Sequence, residues 1–222
     1  MVKEPSFREI RYGEKRQKIL ENAAKLFAKK GYENVSIEEI AAKVKLNKAS
    51  LYYYFKGKDE IFFQIQMQAI EQANIALEKV LNSPVGPAEK LREAIKSHVR
   101  IVTRDYVTGT FRQWELVLPS HLMVQVIAAR DQFEENFERI ILEGVDDGVF
   151  RQQYWKLAVL SILGTLNAIP RWYSPRGELS EEEIGEALAD FILKGLSANP
   201  TDQVEMEESR PRKVTGSQGD TE

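Results

Sequence analysis

The sequence predicts an all-α fold of about nine helices, in which a three-helix head (residues 13–60) precedes a larger helical bundle (residues 61–198). Apolar side chains recur at spacings of three and four residues along most of the 222-residue chain, as in helices with one buried face. The helix-capping pattern Ser-x-x-Glu occurs at Ser36 and at Ser180. Two short helical segments separated by a few residues lie between Val35 and Lys58, which is the arrangement of a helix-turn-helix.

The composition excludes several classes of site. The chain has no cysteine, which rules out disulfides, thiolate metal sites and cysteine nucleophiles. Its two histidines, His98 and His121, argue against a zinc site. No apolar run approaches the roughly 20 residues that cross a bilayer, and the amino-terminal segment is too charged for a secretory signal. We therefore expect a cytoplasmic protein with no membrane partner, no metal and no cofactor.

The charge is divided unevenly along the chain. Residues 1–60 contain 14 Lys/Arg and 9 Asp/Glu, a net charge of +5, whereas the remaining residues contain 17 and 25, a net charge of -8. The overall charge of -3 conceals this division. A basic segment that coincides with a helix-turn-helix pattern is what contact with DNA phosphates requires.

Residues 1–12 are predicted to form a flexible arm, and the first helix is predicted from about Gly13 to Lys30. The side chains of Lys3, Arg8 and Arg11 could lie along DNA, as basic arms do. The alternative is an unattached terminus.

The next two helices define the head. Ser36 predicts a capped start, with Glu39 completing a capping box. This helix should end near Lys45, because Asn47 is the cap of the next one. In that third helix Leu51 and neighbouring apolar positions should point inward. The outward side chains are Lys48, Ala49, Ser50, Tyr52 and Tyr53.

A helix that presents two tyrosines, a serine and a lysine to water has no folding reason to do so. Tyrosine and serine hydroxyls can hydrogen-bond phosphates, and lysine supplies positive charge. The small side chain of Ala49 would let the helix approach base edges closely. These features predict a DNA-reading helix.

The run I-A-x-x-V-x-L-N-K-A-S-L-Y-Y-Y-F-K-G-K-D-E-I resembles the DNA-binding domain of TetR-type transcriptional regulators. The resemblance covers about Glu14 to Asn74. The family usually has glycine where this chain has Lys45, and a left-handed backbone there would cost lysine about 1 kcal/mol. The resemblance implies DNA contacts from Ser36, Lys48, Ala49, Ser50, Tyr52, Tyr53 and Lys58.

A long helix is predicted from about Glu60 to Leu81, with Asp59 as its cap. Its start belongs to the head and its far end to the bundle, so it can act as a lever. In the resembling family this helix carries ligand-induced movement to the DNA-binding heads. The resemblance therefore implies a ligand-binding and dimerisation domain over residues 61–198.

Further helices are predicted over 88–104, 121–144 and, after a capping box at Ser180, up to about Leu196. The most apolar stretch of the chain, residues 154–173, lies between the last two, and Pro170 should kink this helix or end it one residue earlier.

Two apolar helices at the end of a small protein suggest a bundle shared by two copies, although they could instead close one monomer's own core. The family resemblance favours a homodimer. The apolar face of the last helix consists of Ile184, Leu188, Phe191 and Ile192. Residues 199–222 have few large apolar side chains, and we expect them to be disordered.

The segment L-x-A-x-x-R-W-Y-x-P-x-G-x-L-S-x-E-E-I, from Leu166 to Ile184, resembles a TetR-type subgroup that responds to acyl-CoA thioesters of fatty-acid degradation. Such a ligand needs an apolar channel and cations for its phosphates. His98 should point inward, either as a core histidine or as a ligand contact. The other candidate ligand contacts are Arg112, Trp114, Asn167, Arg171 and Trp172. Arg171 and Trp172 could instead only fasten the last helices or the dimer.

Together these observations predict a dimeric repressor that binds a pseudo-palindromic double-stranded DNA operator and is released by a small hydrophobic effector, an acyl-CoA. The alternative effector is a hydrophobic cation, as in regulators of multidrug efflux. An enzyme is disfavoured because the chain has no glycine-rich phosphate loop and no recognisable catalytic constellation. An architectural DNA binder is disfavoured by the acidic bundle.

Overall fold

The computed structural model describes residues 6–104 and 118–198. Within these ranges the protein forms eight helices and no β-strand, which confirms the predicted all-α fold and comes close to the predicted nine helices. Outside these ranges lie the start of the predicted arm (1–5), the predicted tail (199–222) and the predicted ligand contacts Arg112 and Trp114. The helices are α1 Phe7–Lys30, α2 Ile37–Lys43, α3 Lys48–Tyr52, α4 Lys58–Leu81, α5 Pro87–Val102, α6 Ser120–Asp146, α7 Trp155–Trp172 and α8 Glu181–Leu196.

Helix α1 begins six residues before the predicted start at Gly13. Ser6 and Glu9 form a complete capping box, in which the Ser6 hydroxyl accepts from the Glu9 amide and the Glu9 carboxylate accepts from the Ser6 amide. The prediction of an arm over residues 1–12 is therefore wrong for residues 7–12, which are helical. The sequence signal Ser-x-x-Glu was present there too, directly after Pro5.

The helix-turn-helix is capped at both starts. The Ser36 hydroxyl accepts from the Glu39 amide at 3.1 Å, and the Asn47 side chain accepts from the Ser50 amide at 2.7 Å. Only half of the predicted Ser36 capping box forms, because the Glu39 carboxylate pairs with Lys30 on α1. Between the two helices Lys45 has a φ of 56°, so a lysine does occupy the left-handed position predicted from the sequence.

The head closes around one apolar core. Fully buried side chains from the first four helices meet there, and both Leu51 and Phe55 of the α3 segment point inward as predicted. The core continues into α4 through Ile61 and Phe62 and also takes in Val126 of α6. Two long helices, α4 and α6, thus run from the head into the bundle.

Helix α4 begins at Lys58 rather than Glu60, with Gly57 as its N-cap. Asp59 does not cap it, which corrects the prediction; the Asp59 carboxylate accepts a hydrogen bond from the Tyr32 hydroxyl instead. The head is thereby fastened to the start of α4.

The bundle is held by packing of α5 against α8 and of α4 against α6. At the α5–α8 contact, Arg92 bonds to Glu186 at 2.8 Å and to Asp190 at 2.7 Å, and Lys96 bonds to Glu186 at 2.5 Å. Between α4 and α6 the Asn136 amide donates to the Asn74 side-chain oxygen at 3.3 Å. These polar contacts fix the helices around a second apolar core.

Of the two effects predicted for Pro170, a kink or an end of the helix one residue earlier, the second is wrong, because α7 continues through Pro170 to Trp172. Proline removes one backbone donor, but the Tyr173 amide donates to the Ile169 carbonyl at 2.9 Å and closes the last turn. The predicted capping box at Ser180 is complete.

The connection between α6 and α7 is tied to the end of α8. Phe150 and Ser197 form an isolated antiparallel bridge. The Arg151 amide donates to the Leu196 carbonyl at 2.9 Å, and the Ala198 amide donates to the Val149 carbonyl at 3.1 Å. The Phe150 ring covers Gly144 so closely that a side-chain carbon at residue 144 would overlap it.

Candidate DNA-binding face and apolar cavity

The outer face of α3 carries the side chains that the sequence assigned to it. Lys48 and Ala49 are exposed, Ser50 is half-buried, and Tyr52 and Tyr53 are 47% and 62% exposed. Large aromatic side chains on such a short helix cost solvation free energy unless a partner covers them. This face is therefore a candidate surface for a partner.

Tyr53 is supported by a tyrosine of α1 that the sequence reasoning missed. The Tyr12 ring lies edge-on to Tyr53 with 5.7 Å between centroids and stacks on Tyr54 at 5.1 Å. Tyr53 and Tyr54 are themselves 5.1 Å apart. The prediction that α1 begins at Gly13 excluded Tyr12 from the helix by one residue.

Two of the predicted cationic contacts are engaged within the head. The Lys48 ammonium lies 2.6 Å from the Glu38 carboxylate, and this hydrogen bond raises the pKa of Lys48. Lys58 donates to the Tyr32 carbonyl at 3.1 Å and lies 4.0 Å from the centroid of the Tyr32 ring. Lys48 remains exposed, whereas Lys58 is half-buried against the head. Ser36 is exposed, with its hydroxyl used as the cap of α2.

A cavity of about 270 Å³ lies in the bundle between α4, α5, α6 and α7. Most of its wall is apolar, with Ile70, Ile101, Phe133 and Leu163 each contributing from a different helix. The polar and charged side chains on the wall are His98, Arg130, Glu134 and Asn167. An apolar cavity with a few convergent polar groups is the usual form of a small-molecule site.

His98 is the deepest polar group of this wall. It is 4% exposed, its ring centroid lies 5.1 Å from that of Phe133, and neither of its ring nitrogens has a hydrogen-bond partner in the described part of the chain. Burial lowers the pKa of His98 to about 4. The nearby Asn167 amide has a smaller effect that raises this pKa, although it does not reach hydrogen-bond geometry. Arg130 lowers this pKa further. His98 is therefore a neutral imidazole at neutral pH.

The structure brings together two of the predicted ligand contacts and separates two others. His98 and Asn167 share the cavity wall, whereas Arg171 and Trp172, at the end of α7, are exposed and do not line it. Sequence reasoning missed Arg130, Phe133 and Glu134 of α6. Their spacing of three and four residues placed them on one helical face, but nothing in the sequence showed what that face meets.

The Glu134 carboxylate has a cation beside it outside the cavity. It lies 3.5 Å from the Lys156 ammonium of α7, and the same ammonium bonds Glu138. The cavity wall therefore carries the cation Arg130 and the carboxylate of Glu134, and Glu134 also forms an ion pair with Lys156.

Helices α7 and α8 leave large apolar side chains uncovered in the single chain. Phe191, assigned by sequence to the apolar face of α8, is 78% exposed. Leu157, Leu160 and Trp172 of α7 are also exposed. Large apolar side chains that remain exposed on two helices are candidates for a surface that a partner covers.

Two family profiles match the chain. The profile of bacterial regulatory proteins of the tetR family matches residues 19–65, and that of the tetracyclin repressor-like C-terminal domain matches residues 84–196. The HTH-type transcriptional repressor KstR2 of Mycolicibacterium smegmatis is 25% identical over 192 residues, which are 85% of this chain and 94% of KstR2.

Solved structures of similar fold include the TetR family regulator PfmR from Thermus thermophilus, with 38% identity, a TM-score of 0.74, and coverage of 81% of this chain and 98% of PfmR. AibR, in complex with isovaleryl coenzyme A and operator DNA, shows 26% identity, a TM-score of 0.71, and coverage of 83% and 98%. KstR2 and PfmR are named as a transcriptional repressor and a transcriptional regulator, the class that the sequence favoured over an enzyme. The carboxyl-terminal match alone spans more than half of the chain, which belongs to the TetR family of bacterial regulatory proteins.

Proposed function

We propose that the protein is a dimeric transcriptional repressor, which binds a pseudo-palindromic operator through α3 and is released when a hydrophobic effector fills the bundle cavity. The observation that carries this proposal is that α4 and α6 each extend from the head into the bundle. Both helices contribute to the head core at one level and to the cavity wall at another.

The reading of DNA is assigned to the outer face of α3. Tyr52, Tyr53, Lys48 and Ala49 stand clear of the core, and the first 60 residues have a net charge of +5. A recognition helix in the major groove needs this combination of protruding hydrogen-bonding groups and a positive surrounding field. In a dimer, two such helices would meet successive major grooves about one helical turn, ~34 Å, apart or somewhat more.

The dimer is assigned to α7 and α8. The exposed Leu157, Leu160 and Phe191 would be covered if the same two helices of a second copy packed against them. This contact would set the distance between the two α3 helices.

The coupling between cavity and head follows from short distances along two helices. Ala69 of α4 lines the cavity seven residues after Phe62 of the head core, which is about 10 Å at 1.5 Å per residue. On α6, Arg130 lines the cavity four residues after the buried Val126. A ligand that displaces either helix would move a side chain packed inside the head.

The chemistry of the cavity supports an acyl-CoA as effector. Its wall is mainly apolar, and its volume of about 270 Å³ fits a compact acyl group but not the nucleotide part of the thioester as well. AibR, one of the similar structures, was solved with isovaleryl coenzyme A. The nucleotide would then lie outside the cavity.

A hydrophobic cation is the second candidate effector, and Glu134 is the observation that favours it. A carboxylate on an apolar wall can pair with a ligand cation. Lys156 already lies 3.5 Å from this carboxylate and Arg130 lines the same wall, so the acyl-CoA is the better match.

A combined thermal-shift and gel-shift screen tests the proposal. Acyl-CoAs of graded chain length are compared with free fatty acids and with hydrophobic cations, using operator DNA and random duplex at one salt concentration. Stabilisation by thioesters with loss of the operator complex is the expected result. If only hydrophobic cations stabilise the protein and release it from the operator, the protein is a regulator of the efflux type. Equal affinity for operator and random duplex would contradict the proposal of a repressor.

A further inference from the structure

His98 is a buried polar side chain whose ring nitrogens make no hydrogen bond within the described part of the fold. It projects from α5 into the cavity, and its two ring nitrogens lack partners among the described residues. A buried donor and acceptor without partners destabilise a fold, so such a group is normally satisfied. The nearby Asn167 amide does not reach hydrogen-bond geometry, and the cavity is the space from which another partner could approach the ring.

The state of His98 defines the chemistry of that partner. Burial keeps the imidazole neutral, so one ring nitrogen donates and the other accepts. A neutral donor–acceptor pair matches a hydroxyl or a carbonyl and gives no preference for an ion. The ring centroid of Phe133 lies 5.1 Å from that of His98, and most of the cavity wall is apolar, including Ile101 and Val102. Arg130 and Glu134 are its charged members. We expect the group beside the oxygen to be apolar.

We infer that His98 selects an effector whose enclosed part carries an uncharged oxygen, a hydroxyl or a carbonyl, on an otherwise apolar group. This inference rests on the cavity being the effector site proposed above. A purely hydrocarbon group of the same size would fill the space and leave both nitrogens of His98 unpaired. Sites built to hydrogen-bond a ligand group reject analogues that lack it far more strongly than apolar pockets reject an analogue that lacks a methylene.

Asn167 gives the cavity a second, outer polar position. It lines the same wall from α7 but is exposed, whereas His98 is 4% exposed. The oxygen that meets His98 could be the thioester carbonyl itself or an oxygen further along the acyl group. The two sources share one chemistry and can be separated by matched ligands.

The first experiment uses the full chain and four coenzyme A derivatives of equal length: hexanoyl-CoA, β-hydroxyhexanoyl-CoA, β-ketohexanoyl-CoA and the thioether S-hexyl-CoA. If an acyl-chain oxygen is recognised, the hydroxy or keto ester binds at least tenfold more tightly than hexanoyl-CoA in calorimetry. If the thioester carbonyl is recognised, hexanoyl-CoA binds at least tenfold more tightly than S-hexyl-CoA. Affinities within twofold across all four ligands would overturn the inference.

Two substitutions assign the preference to the imidazole. His98→Leu should abolish the tenfold preference by weakening the oxygenated ligand and not the apolar one, and His98→Gln should restore part of it. Since the chain contains only two histidines, His98 and His121, nitrogen NMR of the wild-type imidazoles gives an independent readout. The His98 ring nitrogens should shift with an oxygenated ligand and not with S-hexyl-CoA, a response that a packing role alone would not produce.

Free hexanol and heptane, which have equal numbers of heavy atoms, separate this inference from the proposed effector class. If no CoA derivative stabilises the protein, the proposed class is wrong. A shift of the His98 ring nitrogens by hexanol and not by heptane would then still support selection of an oxygen by His98. No response to any ligand would overturn both.

Discussion

The head and the bundle are both built from amphipathic helices, but the helices of the head fill their core and those of the bundle leave a cavity. In the head, the helices close around a continuous core, and the aromatic rings of Tyr12, Tyr53 and Tyr54 contact one another. In the bundle, four helices leave a cavity of about 270 Å³ and bury His98, whose ring nitrogens have no hydrogen-bond partner within residues 6–104 and 118–198. A rigid surface suits a rigid duplex, whereas an incompletely filled interior suits a small ligand that completes it.

The largest expected effect comes from comparing a leucine in the filled head core with a leucine on the cavity wall, each substituted by alanine. Leu51 in the head core is 1% exposed and Leu163 on the cavity wall is 8% exposed. Leu51→Ala should lower the free energy of unfolding by about 4 kcal/mol, because it opens a new cavity in a filled core. Leu163→Ala should cost less than half of that, because it enlarges a space that already exists. Urea unfolding at one fixed protein concentration measures both, and equal losses would contradict the contrast.

The unsatisfied histidine predicts a loss of stability in acid. His98 titrates near 6.5 when unfolded, but burial lowers its pKa to about 4 in the folded protein. Between these values the unfolded chain binds the proton and the folded one does not, so stability is full above pH 6.5 and falls as the pH approaches 4. At about 1.4 kcal/mol per pKa unit, the loss is about 3 kcal/mol. The charged residues on the same wall, Arg130 and Glu134, remain in the control variant His98→Leu, whose stability should lack this part of the pH dependence.

The assignment of the reading face predicts that Tyr53→Ala lowers operator affinity by about 2 kcal/mol, roughly 30-fold, with the melting temperature unchanged. Tyr154→Ala is the matched control, because Tyr154 is also a largely exposed tyrosine but lies in the bundle. Gel shifts at fixed salt measure both. Unchanged operator binding by the Tyr53 variant would show that the reading face has been placed wrongly.

Tyr12 should matter for DNA binding without touching the bases. Its ring is 5.7 Å from Tyr53 and 5.1 Å from Tyr54, so Tyr12→Ala frees both rings and should weaken operator binding by about 1 kcal/mol. Tyr12→Phe keeps the ring and should bind as the wild type does. A loss in the phenylalanine variant would instead show that the Tyr12 hydroxyl itself contacts DNA.

The smallest expected effect is at the turn of the helix-turn-helix. Lys45→Gly removes the strain of a lysine at φ 56°, offset by the greater flexibility of glycine in the unfolded chain. The net gain should be about 0.5 kcal/mol in urea unfolding. Lys43→Gly, at the last residue of α2, should instead be destabilising.

The head could be predicted from the sequence because its signals are local. The caps at Ser36 and Asn47 and the inward Leu51 each follow from a few neighbouring residues, whereas the left-handed Lys45 was predicted from the family resemblance. The Ser36 capping box was predicted wrongly because Lys30, on another helix, pairs with Glu39. The start of α1 was missed although its capping signal at Ser6 is local.

The cavity could not be predicted in the same way, because four helices make it. The helical periodicity correctly predicted that His98 points inward. Whether its ring nitrogens find a hydrogen-bond partner depends on the side chains that α4, α6 and α7 place around it. Arg171 and Trp172 were predicted as ligand contacts from the resemblance of their segment to an acyl-CoA-responsive subgroup, whereas α7 continues through Pro170 and leaves both exposed. Interior voids depend on how helices cross, which short sequence patterns do not encode.

The antiparallel bridge between Phe150 and Ser197 determines where the chain can be shortened. A protein ending at Ala198 keeps both backbone hydrogen bonds beside this bridge, including the one from the Ala198 amide to Val149. A protein ending at Lys194 loses both hydrogen bonds, and these connect the end of α8 to the loop after α6. A crystallographer trimming the carboxyl terminus would therefore stop at Ala198, since cutting further would loosen the helix proposed to hold the second copy.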